Sequence, residues 1–201
     1  MIRRVALFMG VAALAGAWAS LAHNRHNQLF HEHMAVHMTV VAVAAPMLAV
    51  ALAGSSLDPF RRAAPWSPLV VSLIELVVVW AWHTPAMHHF ARRSALALVA
   101  EQTTFLLSGF LLWIAVVGGE HVGRRGGGII ALLVTAMHMT LLGALLALSQ
   151  RAFYPHESGA HLSSALKDQH LGGVIMLLAG GVTYLVGGLW MSWKLLRYRR
   201  L

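Results

Sequence analysis

The chain contains no cysteine, which excludes disulfides, thiolate zinc sites and cysteine nucleophiles. Charge is also scarce. Only 11% of the 201 residues are charged, and just 7 are acidic against 15 lysines and arginines, while 58% are hydrophobic. That balance leaves no room for a separate soluble domain and predicts one polytopic membrane unit over residues 1–201. No Gly-rich phosphate loop, Walker-type sequence or basic stretch with interleaved aromatics occurs. The net charge of +8 therefore reports cytoplasmic anchoring of helix ends and contact with anionic lipids rather than nucleic acid. No nucleophile–base pair or cofactor fingerprint is readable either, so the expectation is a protein that is not an enzyme.

What is present is a set of six apolar runs, roughly residues 5–22, 34–54, 68–89, 95–118, 128–149 and 170–193. Each is long enough for a helix to cross a bilayer core. The fold class is therefore an all-α membrane protein, a six-helix transmembrane bundle. The first run has a second reading. Met1-Ile2-Arg3-Arg4 and the apolar stretch to Ala17 resemble a signal peptide, with Ser20-Leu21-Ala22 as its cleavage site. A retained first helix is the expectation taken here. Gly-Gly pairs in the last run (Gly172-Gly173, Gly180-Gly181, Gly187-Gly188) predict close helix approach.

Basic residues set the orientation. Arg3, Arg4, Arg61, Arg62, Arg124, Arg125, Lys194, Arg197, Arg199 and Arg200 fall on one side; Arg25, Arg92, Arg93, Arg151 and Lys167 fall on the other. By the positive-inside bias both termini are expected in the cytoplasm of a bacterial inner membrane. Of the 13 histidines, only His121 then lies in a cytoplasmic loop. The rest sit in spans or outer loops, and imidazole is the commonest side-chain metal ligand. The asymmetry points to metal handling at the outer face.

The densest stretch is His31-Glu32-His33-Met34-Ala35-Val36-His37-Met38. His33 and His37 are four apart and share a helical face, and Met34 and Met38 repeat that spacing on the adjacent stripe. Imidazole with thioether suits Cu(I). His83 and Met87 repeat the spacing at the end of the third run, where Pro85 can kink the helix. His138, between Met137 and Met139 in the fifth run, is either a further ligand or an interhelical hydrogen-bond donor to Glu75 or Glu101. Glu75 and Glu101 are the only carboxylates within the runs, and they are expected to orient ligating imidazoles or to join helices. Asp168 and His170 open the sixth run, Asp168 as a cap. His23, His26, His156 and His161 read as solvated loop residues.

Taken in order, His33-Met34-x-x-His37-Met38 before a helix containing Pro46, Trp82-His83-x-Pro85, Tyr154-Pro155, and Asp168-Gln169-x-x-Gly172-Gly173 resemble the motifs of the CtaG-like cytochrome c oxidase assembly factors associated with caa-type oxidases. The resemblance covers about residues 30–190. It implies a protein that assists maturation of haem-copper oxidase by supplying copper to the CuB centre, with the CuB-bearing oxidase subunit as partner.

The residues and the resemblance together predict capture of Cu(I) outside, ligation by His33, His37, His83 and methionines, and ligand exchange into the oxidase. Two other readings stand beside it. One is a haem-binding b-type electron-transfer protein, with haem held between histidines of facing helices; the other is a copper-tolerance permease. The sequence leaves open whether the bundle forms a homo-oligomer.

Overall fold

The computed structural model describes residues 1–23, 28–61, 63–118, 122–154 and 162–198. His26, His121, His156, His161, Arg25, Arg62, Arg199, Arg200 and Pro155, all used in the sequence reading, lie outside them. The described residues form helices and turns, with no strand. In chain order the helices are α1 (Ile2–His23), α2 (Phe30–Met38), a π-helical segment (Thr39–Ala44), α3 (Ala45–Leu52), α4 (Ser67–Trp82), α5 (Pro85–Arg93), α6 (Ala95–Val117), α7 (Val122–Leu148) and α8 (Leu162–Tyr198).

Among the described residues, five segments are long and apolar enough to cross a membrane, α2 with α3 counting as one; the bent pair α4–α5 makes a sixth. This is an all-α, multi-pass membrane bundle. Its apolar surface runs outward. On α7, Ile130, Leu133, Met137, Leu141, Leu145 and Leu148 recur at helical spacing and are all exposed. In water such a stripe would drive aggregation; against lipid tails it costs nothing.

Two interruptions shape the second and third crossings. Pro46 lacks the N–H for a regular bond to the preceding turn and its ring crowds that turn. The helix widens just before it, and the Ala45 N–H donates to Val40 O, five residues back. At the third crossing, Pro85 disfavours helical geometry at Thr84, which is extended at φ −68°, ψ 141°. The α4 helix ends at Trp82, and α5 departs at 73°. Its 16 residues span only about 24 Å, so the sequence expectation of a third run continuing to residue 89 meets a break at its outer end.

The closest helix contact is between α7 and α8. A Cβ on Gly143 would lie 2.8 Å from Gly173 O, and one on Gly173 would lie 2.5 Å from Ala147 N. Only glycine permits that approach. Gly172 likewise makes room for the Phe30 ring, 2.6 Å from where its Cβ would stand.

The loop ends divide into two chemistries. At the end carrying the start of α1 and the close of α8, Arg3 donates to Ala53 O at 2.8 Å and Asp58 accepts from Gly54 N and Phe60 N at 2.9 and 2.8 Å. Buried Arg124 donates to Ala115 O at 3.0 Å and to Phe60 O. The opposite end gathers the start of α2, the α4–α5 bend and the start of α6. His33, His37, His83 and His88 are buried there.

Candidate metal centre

The α2 N-terminus is held by a residue from the far end of the sequence. Asp168 of α8 accepts from Phe30 N at 2.7 Å, His31 N at 3.1 Å and the His31 ring at 2.5 Å. A carboxylate over the first free N–H groups of a helix satisfies them and complements the dipole. Glu32 completes the start by accepting from Leu29 N at 3.0 Å. So anchored, α2 turns His33 and His37 toward α4, α5 and α6. Met34 and Met38 lie about 100° further round and pack toward α8, Met34 beside Gly172 and the Met38 sulfur beside Gly180.

The histidines form a column. His88 and His33 have ring centroids 5.0 Å apart, His33 and His83 6.2 Å, and His83 and His37 5.2 Å. Phe105 of α6 closes the deep end, 4.0 Å from His37. The His83 ring orientation is set by the helix break. Its Nδ1 lies 2.6 Å from Val79 O. A carbonyl only accepts, so Nδ1 carries the proton and Nε2 the lone pair in the neutral ring. That Nε2 is buried without a hydrogen-bond partner, as are both ring nitrogens of His37. Buried polar atoms normally have partners; a neutral ring has one N–H and one lone pair, so the column holds two unpartnered imidazole lone pairs, on His83 Nε2 and on one nitrogen of His37.

The shallow end is different. There His33, His88 and Glu101 each offer a ligand atom within 4.8 Å of the other two. Glu101 Oε2 accepts from Arg92 at 2.8 Å and from Gln102 at 3.3 Å, while its Oε1 has no hydrogen-bond partner. Arg92 also donates to His33 Nδ1 at 3.3 Å and to Gln28. Tyr154 roofs the cluster. Its ring stacks on Phe30 at 4.1 Å and meets His88 edge-on at 4.7 Å. Burial pushes its phenol above the ordinary range, so it stays a hydrogen-bond donor.

The remaining sequence candidates stand elsewhere. His138 is buried on α7 with both nitrogens unpartnered and no ring contact to the column among the described residues. The hydrogen bond to Glu75 or Glu101 considered for it does not form. Glu75 instead accepts from Tyr184 at 3.0 Å and Thr135 at 3.2 Å, tying α4 to α7 and α8. Met87 packs half-buried against the core from α5. His170 Nε2 lies 2.7 Å from Ser149 O, and Gln169 joins Phe153 N, Leu146 O and Arg151 O, so this stretch braces the loop that carries Tyr154.

His88, Arg92 and Tyr154 enter the site without having been singled out as its members. Each is placed by the bend at Thr84 or by the brace from α8, and neither leaves a local period. An apolar groove of about 760 Å³ reaches His83 from the side of α7. Across it stand Leu141, Leu142, Ala144, Leu145 and Leu148, which offer no second axial ligand of the kind a b-type haem requires.

No curated protein and no solved structure matches this chain. The family model described as cytochrome c oxidase caa3 assembly factor (Caa3_CtaG) matches residues 1–198, and the chain belongs to that family.

Proposed function

We propose that this oxidase assembly factor carries copper as its cargo, held as Cu(I) by His33, His37 and His83 at the outer face and passed to the CuB centre of an oxidase subunit. The observation that carries the reading is a pair of unpartnered imidazole lone pairs, one on His83 Nε2 and one on His37, whose ring nitrogens are both buried without hydrogen bonds. Imidazole suits copper, and an ion there would satisfy atoms that are otherwise expensive to bury. The thioethers of Met34 and Met38 pack on α8, so the nitrogen donors hold the ion, and membership of the oxidase assembly family, rather than the donor set alone, points to copper. A chaperone must release what it binds, and few-coordinate imidazole ligation without a closed cage favours ligand exchange.

This role is non-catalytic, with the histidine end facing outward and the arginine-rich end in the bacterial cytoplasm. His138, Met87 and Glu75 lie outside the cargo position in this reading, while Asp168 and His170 hold the helices that frame it. The test is direct. Purified protein is expected to be colourless, with bound copper and no Soret band. His37→Ala and His83→Ala should each lower copper retention while the protein stays in the membrane, because the bundle keeps its apolar packing. A Soret band, or undiminished copper in both variants, overturns the assignment.

A further inference from the structure

The shallow cluster has a property that the deep one lacks, a resident cation. Arg92 donates to Glu101 Oε2 at 2.8 Å and to His33 Nδ1 at 3.3 Å. Guanidinium has no acceptor capacity, so the second bond fixes His33 with Nδ1 as acceptor. The neutral ring then carries its proton on Nε2. That nitrogen faces Glu101 Oε1 across 3.9 Å, which is too long for a hydrogen bond. Two ligand atoms sharing one ion, each about 2.0–2.2 Å from it, stand roughly 3–4 Å apart. The gap is ion-sized, its carboxylate oxygen is unpartnered, and His88 adds a third donor.

We infer that His33, His88 and Glu101 form a second, outer position for the same cation cargo, and that Arg92 is a latch which the incoming ion must displace. The inference rests on the metal reading above. With one hydrogen bond Arg92 neutralises the carboxylate; with the other it keeps the proton on the nitrogen that would ligate. An arriving cation replaces the guanidinium charge at Glu101. Once Arg92 withdraws, the His33 proton moves by way of water from Nε2 to Nδ1, and the Nε2 lone pair turns to the ion. The ring remains neutral throughout, and one positive charge is exchanged for another beside a buried carboxylate. Isolated burial of that carboxylate would be costly, so the latch also explains how Glu101 is carried when no ion is bound. Entry is thereby coupled to a swing of the α5 side chain at the mouth of the column, with His33 shared between the outer position and His83 below it.

The test uses the full chain in detergent, titrated with Cu(I) against a chromophoric chelator, alongside nitrogen-15 shifts of the histidine rings. Arg92→Gln should tighten binding of one copper equivalent by about tenfold or more, since a like charge beside the ligands is removed. It should also shift the His33 proton toward Nδ1 before metal is added. Arg92→Lys keeps the charge but loses the fork and should fall between the two. Glu101→Gln should weaken the outer position and leave binding at His37 and His83. Equal affinity in wild type and Arg92→Gln, with an unchanged His33 tautomer, overturns the latch and leaves the metal reading standing. No copper bound by either protein overturns the metal reading itself.

Discussion

The Tyr154 hydroxyl donates to the main-chain carbonyl of His83 at 2.5 Å. This one bond joins the α7–α8 loop to the residue at which α4 breaks. The carbonyl is freed there because the helix does not continue past Trp82, so Tyr154 supplies the partner that the missing turn would have given. Tyr154→Phe keeps the stacking on Phe30 but leaves a buried carbonyl unpaired, at a cost of about 1–3 kcal/mol. Thermal unfolding in detergent should show a lower midpoint, and copper retention should fall with it as the His83 ring loses its fixed placement. An unchanged midpoint would show that the loop does not hold the break.

Asp168 is expected to matter in a different way. Removing its carboxylate with Asp168→Ala exposes the first N–H groups of α2 and should destabilise the bundle by about 1–2 kcal/mol. Asp168→Asn keeps one of the two accepting oxygens that Asp168 uses, losing the charge and one side of the hydrogen bonding, and should cost less than Asp168→Ala. Unfolding midpoints of the two variants check the order. Equal losses would mean that a single remaining acceptor does not anchor α2.

Orientation is tested by reporter fusions. Ten of the 15 basic residues lie toward one side in the positive-inside reading. Fusions at Asp58 and Val122 are expected to read cytoplasmic, and those at Gln28 and Ser158 external. A cytoplasmic signal at Ser158 would place the histidine column on the wrong side for outside capture.

Much of this arrangement is legible in the sequence, for reasons that are local. Apolar length marks the crossings, Pro85 marks the broken helix, and the four-residue spacing of His33 and His37 puts both on one face. The glycine pairs announce close packing, which Gly173 makes against Gly143. Other features depend on which helices meet. Met34 and Met38 share the histidine spacing, but the neighbour on their stripe is α8. Glu75 is an isolated carboxylate in its own run; its partners Thr135 and Tyr184 come from two later helices. His88 and Arg92 look like an ordinary helix end until the 73° bend turns them over the column. Asp168 can be read as a cap from its type and position, yet the helix it caps begins 138 residues earlier.

Delivery of copper to an oxidase is checked by metal analysis of the oxidase purified from a strain lacking this protein. That oxidase should be present as protein with haem inserted but CuB deficient, partly rescued by added copper, while copper tolerance changes little. Full copper occupancy in that oxidase, together with copper-sensitive growth of the strain, would contradict it.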